Sequence, residues 1–175
     1  MSENVKKTVL VVDDEADVRN FLKAALLNAG FEVITANDGF EALEQVKKRI
    51  PDLISLDLVM PKKSGAKFHR ELSKNPKWRS IPIIIVTGHA RDDLGKADLK
   101  ELTMSGPGIY LEKPVKADNY IAAVKSILQM DTSAEEKEAA EQVALQNELK
   151  NIIDEASPET LRKLKDALAK KKAGG

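Results

Sequence analysis

From Thr8 to Gln129 short apolar runs alternate with segments whose apolar positions recur every three or four residues. That alternation is the written form of repeated β–α units. "TVLVV" (Thr8 to Val12) is a continuous apolar run, as a strand covered on both faces requires. A helix should follow it. In "ADVRNFLKAALLNAG" the positions Val18, Phe21, Leu22, Ala25, Leu26 and Ala29 share one face, and Gly30 supplies a left-handed stop. The alternation then recurs: "FEVITA" predicts a strand, "DGFEALEQVKKR" a helix, "DLISL" a strand, "GAKFHRELSKN" a helix, and "IPIIIVT" the most apolar strand of all. A helix near Asp92 to Met104, the strand "GIYLE" and the helix "ADNYIAAVKSILQ" complete five units. Right-handed crossovers between such units predict an α/β fold, a parallel sheet between two helix layers.

The pattern changes after Met130. Residues 131–175 contain no aromatic residue and no strand-like run but are rich in strong helix formers. Two helices are predicted, at about 134–156 and 158–172, as an extension to a first domain over 1–130. Leu145, Leu149, Ile152 and Ala156 form one narrow stripe, and Leu161, Leu164 and Leu168 a second. Ser157, Pro158 and Thr160 between them read as a cap with proline at the first helical position. The first helix is acid-rich (Glu135, Glu136, Glu138, Glu141) and the second base-rich (Arg162, Lys163, Lys165), so the stripes fit either an antiparallel helical hairpin or a homodimer seam.

Composition narrows the function classes. The chain has 175 residues, 42% of them hydrophobic, enough for a core. Lys plus Arg number 28 against 28 Asp plus Glu, so no global basic field points to nucleic acid. With no cysteine there is no disulfide framework, thiol nucleophile or Cys-based zinc site, and two histidines make no cluster. The first apolar run is too short for a signal peptide, and no segment approaches a membrane span, so a soluble cytoplasmic protein is expected.

Candidate chemistry sits at the strand ends, where open parallel α/β sheets bind ligands. The first strand ends in Asp13 and Asp14, the third in Asp57, the fourth in Thr87, and the fifth leads into Lys113 and Pro114. Crowded carboxylates repel, which raises their pKa values unless a cation offsets them. A hard divalent ion with oxygen ligands, Mg²⁺ above all, meets that need. The set suits a phosphoryl group: an Asp can act as nucleophile while a metal and Lys113 neutralise the transferred oxygens and Thr87 donates a hydrogen bond. Asp57, alone at the end of the central strand, is the nucleophile candidate, and the adjacent Asp13 and Asp14 suit metal holding.

Four segments in this order, "VVDDE", "LDLVMPKKSG", "VTG" and "YLEKP", closely resemble the receiver domain of two-component response regulators, over about Val5 to Met130. The resemblance implies a flavodoxin-like, doubly wound five-stranded sheet of order 2-1-3-4-5 with five helices. It implies that Asp57 accepts phosphate from the phosphohistidine of a histidine kinase, as a phosphoacceptor and not a turnover enzyme. Asp14, Asp57 and the Val59 backbone carbonyl would hold Mg²⁺, with Asp13 acting through water. Thr87 and Lys113 would bind the phosphoryl oxygens, a cis bond would join Lys113 to Pro114, and Tyr110 would be the switch aromatic. Val59 and His89 stand where the family tunes the lifetime of the acyl phosphate.

The chain also departs from that pattern. Thr87 and Lys113 are 26 positions apart, more than an ordinary receiver has, and "SGPGIY" replaces the usual Gly-Ala segment before the aromatic. Blander readings stand beside the sharp ones: Tyr110 as a partly buried strand aromatic, His89 as a loop residue, Trp78 packing over a helix-to-strand connection. The competing functions are a phosphorylation-independent structural adaptor and an Asp-nucleophile phosphohydrolase. The second of these, in haloacid dehalogenase-type enzymes, carries another Asp two positions on, where this chain has Val59. The extension has no helix-turn-helix with a basic recognition helix; the roles left open to it are dimerisation, docking on the receiver with release on phosphorylation, and holding a partner protein. Output through an unidentified downstream protein is therefore expected, with no nucleic-acid or membrane contact.

Overall fold

All five expected strands are present, within two residues of the apolar runs, in a computed structural model that describes residues 5–60, 62–88, 109–130 and 134–173. The strands are β1 (Thr8–Val12), β2 (Glu32–Ala36), β3 (Leu53–Leu56), β4 (Ile83–Thr87) and β5 (Ile109–Glu112). They form one parallel sheet of order β2-β1-β3-β4-β5. Among the described residues the helices are α1 (Ala16–Asn28), α2 (Gly39–Lys48), α3 (Gly65–Lys74), α4 (Ala117–Ile127), α5 (Ala134–Glu155) and α6 (Pro158–Ala173). The helix expected near 92–104, Pro61 and His89 lie outside the described residues.

The continuous apolar strands are explained by two cores, one on each face of the sheet. Val9 and Val11 of β1 pack with Leu22 and Leu26 of α1 and with Ile121 and Val124 of α4. Leu10 and Val12 point the other way, onto Ala42 and Val46 of α2 and Phe68 and Leu72 of α3. Trp78 lies against this second core at the turn leading to β4, as its place in "NPKWRSIP" suggested.

Side-chain caps start three of the described helices. Asp38 caps α2 by accepting from the amides of Phe40 and Glu41, both at 2.9 Å. Those bonds, led by the one from Glu41, outweigh burial and hold the Asp38 carboxyl below its usual range. Ser64 caps α3 through the Lys67 amide at 3.3 Å. Ser157 does the same for α6 through the Thr160 amide at 3.3 Å, as the Ser-Pro signal predicted.

The extension docks on the first domain, one of the arrangements expected, but not through the predicted stripes. Val143 on α5 is only 3% exposed and joins the core with Leu111, Ile121 and Val124. Two ion pairs pin the same helix, Lys125 with Glu136 and Lys150 with Glu112. The Lys150 ammonium also lies 4.8 Å from the centroid of the Tyr110 ring. Thus the buried face of α5 is the one through Val143, not the stripe of Leu145, Leu149 and Ile152. The antiparallel hairpin is not formed: the stripes of α5 and α6 do not cover one another, and Leu164 and Leu168 stay exposed. The physical reason is the short link: only Ala156 and Ser157 separate the helices, and the Ser157 cap and Pro158 restart the chain as helix at once, so α6 does not fold back over the stripe.

Candidate phosphoryl-transfer site

Sheet register brings the candidate residues together. Val12 pairs with Leu56, so β1 and β3 end level and Asp13 and Asp57 emerge side by side. The Asp57 amide donates to the Val12 carbonyl at 3.0 Å, and the Asp13 amide to the Ala36 carbonyl at 3.2 Å. On the other side Thr87 pairs with Glu112, and the Lys113 amide donates to the Thr87 carbonyl at 3.1 Å. The peptide bond from Lys113 to Pro114 is cis. Asp13, Asp57 and Lys113 are therefore each anchored by a backbone hydrogen bond that extends the sheet by one residue.

Gly65 completes the support. The first residue of α3 lies so close to the loop after β3 that a Cβ there would stand 2.1 Å from the Asp57 carbonyl oxygen. Its amide donates to the Leu58 carbonyl at 2.9 Å. Only glycine allows this approach.

The charges meet at Lys113. Its ammonium lies 2.9 Å from Asp13 Oδ2, 2.9 Å from Glu15 Oε1 and 3.4 Å from Asp57 Oδ2. Asp13, Asp57 and Thr87 are buried, whereas Asp14 is exposed although it shares the acidic cluster. Burial above all, with the neighbouring Asp13 charge, drives the Asp57 carboxyl up to about 6 against the opposing pull of Lys113. Asp13 is raised by the same desolvation, with the Lys113 hydrogen bond opposing it. Burial alone would lower Lys113, but hydrogen bonds to Asp13 and Glu15 and the charges of Asp57 and Asp13 outweigh it and raise its pKa.

The site suits a cation. Oxygens of Asp13, Asp14 and Asp57 lie within 4.8 Å of one another. Asp57 Oδ1 is buried with no hydrogen-bond partner among the described residues, which is costly for a carboxylate oxygen. Three carboxylates, Asp13, Glu15 and Asp57, face the Lys113 ammonium, and a fourth, Asp14, lies beside Asp13 and Asp57. An all-oxygen, net anionic donor set fits a hard divalent ion such as Mg²⁺.

Sequence reasoning left Glu15 out. It stands at the N-cap of α1 without making a side-chain cap bond, because its carboxylate is committed to Lys113. Asp13 Oδ1 takes over by accepting from the Glu15 amide at 2.9 Å. The signal was present in "VVDDE": glutamate is a poor N-cap residue, so its placement there needs another cause. Arg19, also not singled out, donates to the Asp13 carbonyl at 2.7 Å and steadies the turn.

Of the remaining candidates, Val59 is half-buried two residues after Asp57, and Tyr110 is half-buried on β5, packed near Leu58 and Ile85. His89 lies outside the described residues. Among the described residues no helix is long and apolar enough to cross a membrane.

Comparison with known proteins converges on one family. Residues 9–125 match the family described as response regulator receiver domain. The chain is 36% identical over 124 residues to the phosphate regulon transcriptional regulatory protein PhoB of Pseudomonas aeruginosa, a match covering 71% of this chain and 52% of PhoB. It is 30% identical over 122 residues to the polar-differentiation response regulator DivK of Brucella anthropi, covering 70% of this chain and 96% of DivK. The chemotaxis response regulator CheY4 of Vibrio cholerae superposes with a TM-score of 0.59 at 28% identity, covering 70% of this chain and 99% of CheY4. The chain spans about half the length of several curated relatives, PhoB among them.

Proposed function

The chain belongs to the response regulator receiver domain family, and from that premise we propose that it is a Mg²⁺-dependent phosphorylation switch with Asp57 as the acceptor. Receiver domains of two-component response regulators are phosphoacceptors and not turnover enzymes. The carrying observation is the buried Asp57 carboxylate, with one oxygen unpartnered and the other 3.4 Å from the Lys113 ammonium.

In the proposed reaction a carboxylate oxygen of Asp57 attacks the phosphorus of a kinase phosphohistidine. The P–O bond forms as the P–N bond breaks, and the bonding pair stays on the imidazole nitrogen, which then takes a proton from solvent. Lys113 neutralises charge on the transferred oxygens, and Thr87 donates a hydrogen bond to one of them. Asp13, Asp14, Asp57 and the Val59 carbonyl would hold Mg²⁺, which would supply charge neutralisation at the phosphoryl oxygens when bound. Burial readies Asp57 for this role, since a desolvated carboxylate gains more from a cation and an electrophile than a solvated one. Apolar Val59 cannot orient an attacking water, so the acyl phosphate is long-lived; His89 is the other position assigned to that lifetime.

Acquiring about −1.5 to −2 charges at Asp57 biases Thr87 inward and Tyr110 with it. Output then runs through protein–protein contact at the face around β5, where α5 already lies, and not through DNA. The working location is cytoplasmic, with a histidine kinase upstream, an unidentified protein downstream, and the C-terminal helices engaging a second copy of the chain. The domain division, a receiver over 1–130 and an extension over 131–175, belongs to the same reading.

The test is intact mass after incubation with Mg²⁺ and a small phosphodonor. Wild type should gain one phosphoryl mass and Asp57→Asn none; equal gain by both sinks the assignment. Followed over time, Val59→Asn should lose that mass several-fold faster than wild type, and an unchanged decay removes the lifetime role.

A further inference from the structure

We propose that the outer face of α5 and the leucine stripe of α6 are the two halves of a reciprocal dimer seam, with α6 of each copy lying along α5 of the other. The proposal deepens the partner assignment above and does not depend on phosphoryl transfer.

α5 carries two apolar faces, with Leu149 at the border of the cavity that Val143 and Tyr110 also line. The inner one, through Val143, is spent on the receiver core. The outer one is bare: Leu145 is 58% exposed, Leu149 52% and Ile152 51%. On α6 Leu164 is 39% and Leu168 61% exposed, and apart from half-buried Leu161 every residue of that helix whose side chain is described is exposed. A helix of 16 residues with so little tertiary burial is marginal in water. Both stripes extend over about two heptads, so their lengths match.

Charge selects the occupant. Glu141, Glu148 and Glu155 recur at seven-residue steps beside the outer stripe of α5, all exposed and without an ion-pair partner among the described residues. On α6 the leucines are flanked by the exposed Lys165 and Lys171. An α5–α5 seam would set the acids against each other, and an α6–α6 seam the lysines. An α5–α6 seam pairs them, the way flanking charges choose partners in coiled coils.

One chain cannot be its own occupant in the observed fold. Only Ala156 and Ser157 separate the helices, the Ser157 cap and Pro158 restart the chain as helix at once, and the two stripes remain uncovered. With two copies related by a twofold axis, each α6 covers its partner's α5. Both stripes are then used, and assembly closes at two.

Size-exclusion chromatography with light scattering over a concentration series of the full chain tests this. The expected mass is twice that of one chain, falling to one chain for Leu164→Glu with Leu168→Glu. Reversal of α5 charges (Glu141→Lys, Glu148→Lys, Glu155→Lys) should weaken the dimer about ten-fold, and adding Lys165→Glu and Lys171→Glu to the same chain should restore it. Labelling of Asp57 should stay intact in every variant, since these positions are exposed and outside the site, and this serves as the check on folding. A chain that stays monomeric throughout, leaving the stripes to a helix of some other protein, overturns the proposal. So does a dimer indifferent to the leucine changes, or one broken by α6 changes but untouched by α5 reversal. A chain that dimerises yet takes no phosphoryl group would sink the switch reading alone.

Discussion

At the carboxyl ends of β1, β3 and β5, charged side chains are buried and held at 2.9 to 3.4 Å from one another, whereas along α5 and α6 apolar side chains stand exposed with little touching them. Each region inverts the ordinary rule of polar outside and apolar inside. In the first the inversion is over-determined: sheet register, an amide bond behind each residue and the Gly65 approach all fix Asp57. In the second α5 is held along one face, by Val143, two ion pairs and the Lys150 contact with the Tyr110 ring, and α6 continues beyond them. Buried charge kept rigidly in place points to chemistry. Exposed apolar surface on a loosely supported helix points to a partner.

The contrast can be broken hardest at Gly65. Gly65→Ala forces a Cβ against the Asp57 carbonyl, and we expect a loss of about 3 kcal/mol in urea unfolding together with loss of Asp57 labelling. If stability and labelling both survive, the Asp57 loop is not over-determined and the comparison fails on its first side.

Val143→Ala should act on the other region alone. Removing two methyl groups from the α5 contact should cost about 2 kcal/mol of that docking, seen as faster hydrogen exchange of α5 amides while labelling of Asp57 is unchanged. A parallel fall in labelling would mean that the extension and the site are one cooperative unit.

The smallest expected effect lies at their border. Lys150→Met removes the ammonium from Glu112 and from the Tyr110 ring but keeps most of the apolar stem. The Lys150 side chain is partly exposed, so solvent screens the pair and the cost should be about 0.5 kcal/mol. What should change is the near-ultraviolet dichroism of Tyr110, on adding the phosphodonor, relative to wild type. An identical response in both proteins would show that α5 does not sense the site.

Legibility differed between the regions for physical reasons. Asp57, Asp13, Lys113 and Thr87 could be named in advance because strand ends are marked by short apolar runs, and residues just past them must gather at one sheet edge. Glu15 escaped because its task, holding Lys113 from the start of α1, is a contact across 98 positions that no local pattern announces. The docking face of α5 was missed for a related reason. Period alone identified Leu145, Leu149 and Ile152 as a face, but periodicity cannot say which of two apolar faces has the better partner. Val143 won because Leu111, Ile121 and Val124 were already assembled into a surface by the sheet.

By itself, then, the order of residues determined the alternating strands and helices, the capping signals at Asp38, Ser64 and Ser157, and the family motifs around Asp57, all set by nearest-neighbour conformational preferences and by burial on two sheet faces. Only the tertiary structure decided that α5 lies on β5 and α4 through Val143, that Glu15 joins Lys113, and that both leucine stripes stay open. Those outcomes depend on which surfaces arrive within contact distance, and that is fixed by the packed fold and not by any segment of the chain.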